Sequence, residues 1–386
     1  MDYIGILQKI LSIDTSVPPG HNYEEAIDYL EALFASAGLQ TEKIRIPPEH
    51  AEGRENRVNL VGHRRNPGKP RLIFYAHVDV VPAEGWDAFT PRVQEGKIYG
   101  RGAADMKGGI VALLGGMDLV RGKPLKYDVS VMITTDEESG QTKQLEYLED
   151  YLQPVSGAHF FNLDTNFGYV TVTNLGAIRI DIMVTGKSVH AALSHLGENA
   201  VEKASLLVSA LMNLKPRIEA KQSAVPADPA TGLTHMIPRL NINVIKGGIK
   251  SNIVPDECLI SIDRRLIPEE DAAEARKEII DTLIAVPGVT WEVKHEFMVS
   301  PVPPAEGRMI DELDEIIRDV TGSSGRYGMM GSGGLPQAVD GWGGITFGSG
   351  VMRPESNIHG KNEFVYRQDI EDLATIIARF LTGEYR

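Results

Sequence analysis

The chain has 386 residues, 42% hydrophobic and 24% charged, an ordinary globular composition spread over more residues than one core usually organises, so two domains are expected. A formal net charge of −14 argues against nucleic acid or an anionic membrane as a partner. The lone cysteine, Cys258, excludes an internal disulfide, and any bound metal must rest on histidines and carboxylates.

The opening "MDYIGILQKILSID" carries an early acid and Lys9 inside its apolar stretch, so it reads as an amphipathic helix and not as a signal peptide. No run reaches the roughly 18 apolar residues that a membrane span requires, and a cytoplasmic protein is expected. "YEEAIDYLEALFASAG" has helical periodicity and stops at Gly38. "RVNLVGHR" and "RLIFYAHVDV" read as strands, "MKGGIVALLGGMDLVRG" as a helix, and "DVSVMITTDEE" and "AHFFNLD" as further strands. Apolar strands alternating with helices predict an α/β sheet covered on both faces.

Near Asn174 the rhythm changes. "GAIRIDIMVTGK" alternates with period two, and "GENAVEKASLLVSALMNL" is an amphipathic helix. "PRLNINVIKGG" and "ECLISIDRRL" are strands, "EEDAAEARKEIIDTLIAV" is a helix, and "VTWEVKHEFM" a last strand. The order β-α-β-β-α-β is the split βαβ unit of a ferredoxin-like module. Pro-rich "SPVPPAEG" reads as a return linker, followed by a helix from Met309 to Val320, a glycine-rich stretch, "GGITFGSG" and a closing helix. One domain inserted into another fits this order better than two in tandem.

Five places carry polar groups at or near strand ends: His77 with Asp79, Asp105 in "YGRGAADMKGG", Glu137-Glu138, Asp164 and His359 in "ESNIHGKNEF". In a strand His77 and Asp79 point to one side, so they are either a buried ion pair or a metal ligand with its orienting carboxylate. Each group alone is more often a cap or a surface charge than a ligand. Together they fall where open α/β sheets bind ligands, at the carboxyl ends of strands. Two imidazoles and several carboxylates without thiolate suit catalytic zinc, with cobalt or manganese as alternatives. The set suffices for two cations if one carboxylate bridges them, and Glu137-Glu138 offers one ligand and one proton acceptor.

His77-Val78-Asp79, "GRGAADMKGG", Glu137-Glu138, Asp164 and "HGKNE", in this order over nearly the whole chain, resemble the M20 metallopeptidases. That family includes acetylornithine deacetylase, succinyl-diaminopimelate desuccinylase, aminoacylase and glutamate carboxypeptidase. The resemblance implies a mixed-sheet, zinc-exopeptidase-like catalytic domain built from residues 1–173 and 300–386. Residues 174–299 would form an inserted ferredoxin-like α+β lid that also makes a homodimer. It implies two Zn2+ ions bridged by Asp105, one completed by His77 and Asp164 and the other by Glu138 and His359. Asp79 would orient His77, and Glu137 would be the general base. In the lid, "GKSVHAAL" brings His190 to the other subunit's site to stabilise the oxyanion, Asn243 lies near the same site, and Arg265 clamps a substrate carboxylate. For His190 and Arg265 the plainer readings are a helix cap and an exposed strand charge. Trp86 and Trp342 are read as packing.

The implied activity is hydrolysis of an amide in an N-acyl amino acid or small peptide with a free carboxylate. A dipeptidase or carboxypeptidase of the same family, or a non-catalytic metal-binding relative, stays open. Asp164 stands where deacetylases and desuccinylases usually have Glu, and Asp is more typical of the di- and tripeptidases. "MMGSGGLPQAV" stands where many members carry a Ser/Thr-Asp-x-Arg loop, and Gly331 to Gly334 read as a flexible loop. A nucleotide-binding oxidoreductase would require "GRGAADMKGG" as a phosphate loop, but that stretch lacks the third glycine and does not sit between a strand and its helix.

Overall fold

The apolar runs of the first half of the chain become the middle of a mixed eight-stranded sheet. This computed structural model describes every residue except 153–156, 330, 332–343 and 385–386. In chain order the first elements are α1 (Tyr3–Leu11), α2 (Tyr23–Ser36), β1 (Gln40–Ile46), β2 (Arg57–Arg64) and β3 (Arg71–His77). Short β4 (Arg92–Gln94) and β5 (Lys97–Tyr99) precede α3 (Gly108–Leu119), β6 (Asp128–Thr134), α4 (Thr142–Leu152), β7 (His159–Asn162) and β8 (Val170–Asn174). Then come β9 (Gly176–Thr185), β10 (Val189–His190), α5 (Ala200–Glu219), β11 (Arg239–Gly247), β12 (Ile253–Val254), β13 (Glu257–Leu266), α6 (Ala272–Ile284) and β14 (Thr290–Val299). The chain closes with α7 (Arg308–Thr321), β15 (Arg326–Met329), β16 (Thr346–Gly348), β17 (Phe364–Tyr366) and α8 (Arg367–Thr382).

The large sheet runs β1-β2-β6-β3-β7-β16-β8-β15. Its centre is parallel, with β3 between β6 and β7 and β16 beside β7, whereas β1, β2 and β8 join antiparallel. That mixture is the α/β class expected. Alternation along β3 explains how both faces are covered. Ile73 and Tyr75 pack with Met132, Phe160, Leu145 and Leu148 under α4. Phe74 turns the other way, towards Phe161, which also meets Phe347 and Phe380 of α8. A strand buried on both faces has no polar side to alternate with, which is why its sequence is continuously apolar. β17, β5 and β4 form a separate small sheet.

The chain divides into two compact units, one of Met1–Val172, Ala305–Tyr327 and Gly333–Arg386, the other of Thr173–Pro304 and Gly328–Ser332. The second contains an antiparallel sheet ordered β11-β13-β9-β14, the strand order of a split βαβ module. Its core forms where Ile178, Ile180, Ile182, Ile260 and Ile262 meet Leu207 and Leu211 of α5 and Ile279 and Leu283 of α6. Gly328 and Gly331 join this unit through Asp228 N–H to Gly328 O at 3.1 Å and Leu175 N–H to Gly331 O at 3.2 Å. Gly331 thus has a fixed partner, while 332–334 and Trp342 lie outside the described residues. Among the described residues no helix is long and apolar enough to cross a membrane.

Candidate metal centre

Period two along β3 sends Tyr75 and His77 to one side, and His77, the last residue of the strand, arrives fully buried where the apolar run stops. Its Nδ1 lies 3.1 Å from the main-chain oxygen of Asp79 and 3.4 Å from that residue's Oδ1. A proton on Nδ1, donated to this carbonyl, leaves the Nε2 lone pair for a cation. Nε2 is buried without a hydrogen-bonding partner, 3.3 Å from Asp105 Oδ1. An orphaned buried polar atom costs on the order of 1–3 kcal/mol, a cost that ligation would remove. The segment around Asp79 is braced from the N-terminal side, where Thr15 Oγ1 donates to Val78 O at 2.7 Å and Val17 N–H to Val80 O at 3.0 Å.

Asp105 sits in a tight turn, Ala103–Lys107, that leads from β5 into α3. The turn begins at Gly102, whose φ of +83° and close approach to Val80 leave no room for a Cβ. Asp105 Oδ2 lies 3.0 Å from His359 Nε2 while Oδ1 faces His77, so one carboxylate stands between two imidazoles. Behind the turn Lys107 is fully buried, and its Nζ donates to Ile10 O at 3.2 Å and Ile13 O at 3.0 Å. Ile10 is in the last turn of α1 and its carbonyl has only a long main-chain contact, 3.4 Å from Ile13 N–H, while Ile13 follows the helix, so the ammonium supplies donors where the helix runs out of them.

β6 ends one strand away from β3, with Thr134 in register with His77. Asp136, in the left-handed region at φ 66°, then turns the chain. Its fully buried carboxylate accepts from Tyr23 Oη at 2.9 Å and from Arg57 Nε and Gln144 Nε2 at 2.8 Å each. Glu137 and Glu138 follow this anchor. Glu138 N–H donates to Asp79 Oδ2 at 3.0 Å, and Glu138 Oε1 lies 3.1 Å from His359 Nε2. Asp164 follows β7, its N–H held by Asn162 Oδ1 at 2.9 Å. Its loop is seated against the segment after β16, where a Cβ on Gly350 would come within 2.0 Å of Thr165 O.

Two sets of possible ligand atoms result, His77 with Glu137 and Asp164, and Asp105 with Glu138 and His359, each set lying within 4.8 Å. Burial pushes Glu137 well above the usual carboxylate range and Asp164 up to about 7, and neighbouring carboxylates add to both shifts. Asp105 and Glu138 hold His359 up at about 10. Burial opposes charge on His77 too, but Asp105 and Asp79 outweigh it and raise the imidazole well above its ordinary value. Five carboxylates thus crowd two imidazoles, and negative charge remains uncompensated even with both rings protonated. Divalent cations fit that deficit, and the donor set of nitrogen and oxygen suits zinc.

His190, Asn243 and Arg265 belong to the second unit. His190 is exposed, and its Nδ1 accepts the N–H of Ala192 at 3.2 Å, a capping contact. Arg265 Nε donates to Asp263 at 3.0 Å. Asn243 stands at a bulge in β11 and shares with Arg265, Arg179, Asp181 and Ser261 a cavity of about 300 Å3 that does not include His190. Trp86 packs under Arg101, 5.8 Å from its guanidinium. Asp136, Lys107 and Glu363 lie inside the stretches "TTDEE", "ADMKGG" and "HGKNE" but carry no role that those motifs imply. Their partners come from distant segments, which no local pattern in the sequence reveals.

The family model described as peptidase family M20/M25/M40 matches residues 73–383. A succinyl-diaminopimelate desuccinylase of Psychrobacter sp. strain PRwf-1 is 28% identical over 391 residues, covering 97% of this chain and 93% of that protein. One of Psychrobacter arcticus is 27% identical over 384 residues, covering 95% and 90%. Among solved structures, an M20 family metallo-carboxypeptidase from Sulfolobus solfataricus has a TM-score of 0.82 at 17% identity, covering 99% of both chains. A tripeptidase from Staphylococcus aureus has a TM-score of 0.77 at 20% identity, covering 100% of this chain and 98% of that one. At such identities the structural likeness concerns the fold.

Proposed function

Because the chain belongs to peptidase family M20/M25/M40, we propose that this metal-dependent hydrolase is a dinuclear zinc enzyme cleaving the amide bond of an N-acyl amino acid or small peptide with a free carboxylate. One observation carries the reading: the Asp105 carboxylate lies 3.3 and 3.0 Å from the inward nitrogens of His77 and His359. Asp105 would then hold both cations, with His77 and Asp164 holding one and Glu138 and His359 the other. Bound there, the cations would polarise the scissile carbonyl and acidify a shared water. Co2+ or Mn2+ could serve in place of Zn2+.

Glu138 has an oxygen 3.1 Å from His359, which supports it as the ligand of the pair and leaves Glu137 for proton transfer. Glu137 takes the proton of the attacking water on its carboxylate and returns it to the leaving nitrogen. Asp79 fixes the His77 tautomer. His190, Asn243 and Arg265 keep their proposed roles towards the oxyanion and the substrate carboxylate, Arg265 because its planar fork matches a carboxylate. The roles of catalytic domain for the first unit and lid for the second belong to the same proposal. So does a homodimer, supported by an edge strand, β11, whose Val244 and Ile245 are 42% and 55% exposed. A cytoplasmic setting is supported by a lone, buried cysteine in place of any disulfide.

Relatives named desuccinylases support acyl removal, whereas Asp164 favours a di- or tripeptidase. Elemental analysis of the purified protein, followed by a panel of N-acetyl, N-succinyl and dipeptide substrates, tests both. About two zincs per chain with chelator-sensitive cleavage is the expected result, and the preferred acyl group decides the class. No metal uptake would remove the proposal.

A further inference from the structure

A fully buried carboxylate, Glu363, lies behind the metal-facing residues and not among them. Its Oε1 accepts the main-chain N–H groups of Ala104 at 3.0 Å and Asp105 at 3.1 Å. Its Oε2 accepts the N–H of Gly102 at 3.1 Å and Arg101 Nη1 at 2.6 Å. Three amides of the Asp105 turn therefore converge on one anion, whose own main chain is fixed by pairing between Phe364 and Tyr99. The other arm of Arg101, which is 2% exposed, donates to His359 O at 3.1 Å. Asp105 and His359 are 254 residues apart in sequence, and this pair ties their backbones together.

We propose that Glu363 is a positioning residue which, with Arg101, aligns the Asp105 carboxylate and the His359 imidazole on one cation. The inference rests on the two-cation reading. A carboxylate in such a turn can fold back onto its own neighbouring amides. Glu363 occupies those amides instead, so the oxygens of Asp105 stay turned towards His77 and His359. Arg101 does the same for the other segment, holding the carbonyl of a residue whose φ of 61° is unfavourable for a side chain of this size. An anion hydrogen-bonded to four donors supplies this alignment, whereas a neutral amide would present a donor to one of them.

The test is titration of chelator-stripped protein with Co2+, followed by visible absorption and equilibrium dialysis, with folding checked by circular dichroism. The unaltered protein should take up two ions per chain. Glu363→Gln should weaken both ions, because Asp105 serves both, and most of all the one shared with His359, by about 10–100-fold, the usual consequence of losing a ligand's supporting partner. Asp128→Asn is the comparison, since it breaks the pair with Arg71 at 2.8 Å, outside the two ligand sets. It should lower the melting temperature and leave both ions bound, as a purely structural role for Glu363 also would. Where Glu363→Gln does not fold, Arg101→Lys carries the measurement, because an ammonium cannot reach both Glu363 and His359 O. Two ions at unaltered affinity in the variant would overturn the inference alone. No uptake by the unaltered protein would overturn the two-cation reading and the inference with it.

Discussion

The carboxylate of Asp79 accepts the main-chain N–H of Glu138 at 3.0 Å. One residue thereby joins the end of β3, which delivers His77, to the turn after β6, which delivers Glu137 and Glu138. The contact is possible because β3 and β6 are parallel neighbours with His77 opposite Thr134. Asp79 therefore braces both sides of the centre.

That double role separates two substitutions. Asp79→Asn keeps an oxygen for the Glu138 amide but removes the charge beside His77, so kcat/KM should fall about 10–100-fold with little change in Tm. Asp79→Ala removes both contacts, and both activity and Tm should drop further. Steady-state kinetics and thermal melts on the two variants check this, and equal behaviour would mean that the Glu138 contact contributes nothing.

Glu137 makes a sharper case, because its carboxylate lies with those of Asp164 and the His77 ring in one possible ligand set. As the general base it should be dispensable for binding, so Glu137→Gln should lose about 10²–10⁴-fold in kcat with two metal ions retained. Elemental analysis decides the point. A fall to one ion per chain would make Glu137 a ligand.

Much of the centre was legible because strand geometry is local. His77 and Asp79 are neighbours as expected, although β3 stops at His77 and Asp79 lies two residues past its end, and the carboxyl ends of parallel strands collected Glu138 and Asp164. The supports were not legible, since Asp136 is held by Tyr23 and Arg57 and Glu363 by the amides of residues 102, 104 and 105. Main-chain donors leave no trace in side-chain identity. The edge strand β1 escaped notice for another reason, since only Ile44 and Ile46 of its seven residues are buried. For His190 the capping alternative describes the contact it makes.

Lys107 belongs to the stretch "ADMKGG", where a lysine two residues after Asp105 invites a chemical role. Its Nζ instead satisfies Ile10 O and Ile13 O at the end of α1. Lys107→Met would take its donor from the Ile13 carbonyl and leave the Ile10 carbonyl only the 3.4 Å contact from Ile13 N–H, so unfolding free energy should fall by about 1–3 kcal/mol. Denaturant titration measures the loss. Metal uptake per folded chain should stay at two, and its loss would return Lys107 to the site.

His63 offers a pH signature remote from the metal ligands. It sits in β2 with Nδ1 2.9 Å from Ser130 Oγ, and burial together with Arg65 and Arg71 pushes it down to about 4, against a weaker opposing pull from Asp128. Between its ordinary value near 6.5 and about 4, the unfolded chain binds the proton and the folded chain does not. The contribution to stability is therefore complete above pH 6.5 and declines as pH falls towards 4. His63→Gln should flatten the loss of Tm between pH 7 and pH 5 relative to the unaltered protein. An unchanged slope would mean that His63 is protonated in the folded state.

The two edges of the four-stranded sheet in the second unit differ in how readily they would pair with another chain. Both β11 and β14 are edges. Along β14, Glu292, Lys294 and Glu296 interrupt the exposed apolar residues, and charge on an edge deters pairing with another chain. β11 reads "NINVI" through its middle with no charge at all, and Ile245 and Val244 are open to solvent beside an α5 that exposes Met212 at 49%. A homodimer should therefore use β11. Ile245→Lys should shift the mass measured by light scattering from two chains to one at micromolar protein, whereas Lys294→Ala on β14 should leave it unchanged. A monomer in the unaltered protein would remove the dimer from the proposal, and a dimer that survives Ile245→Lys would move its interface off this edge.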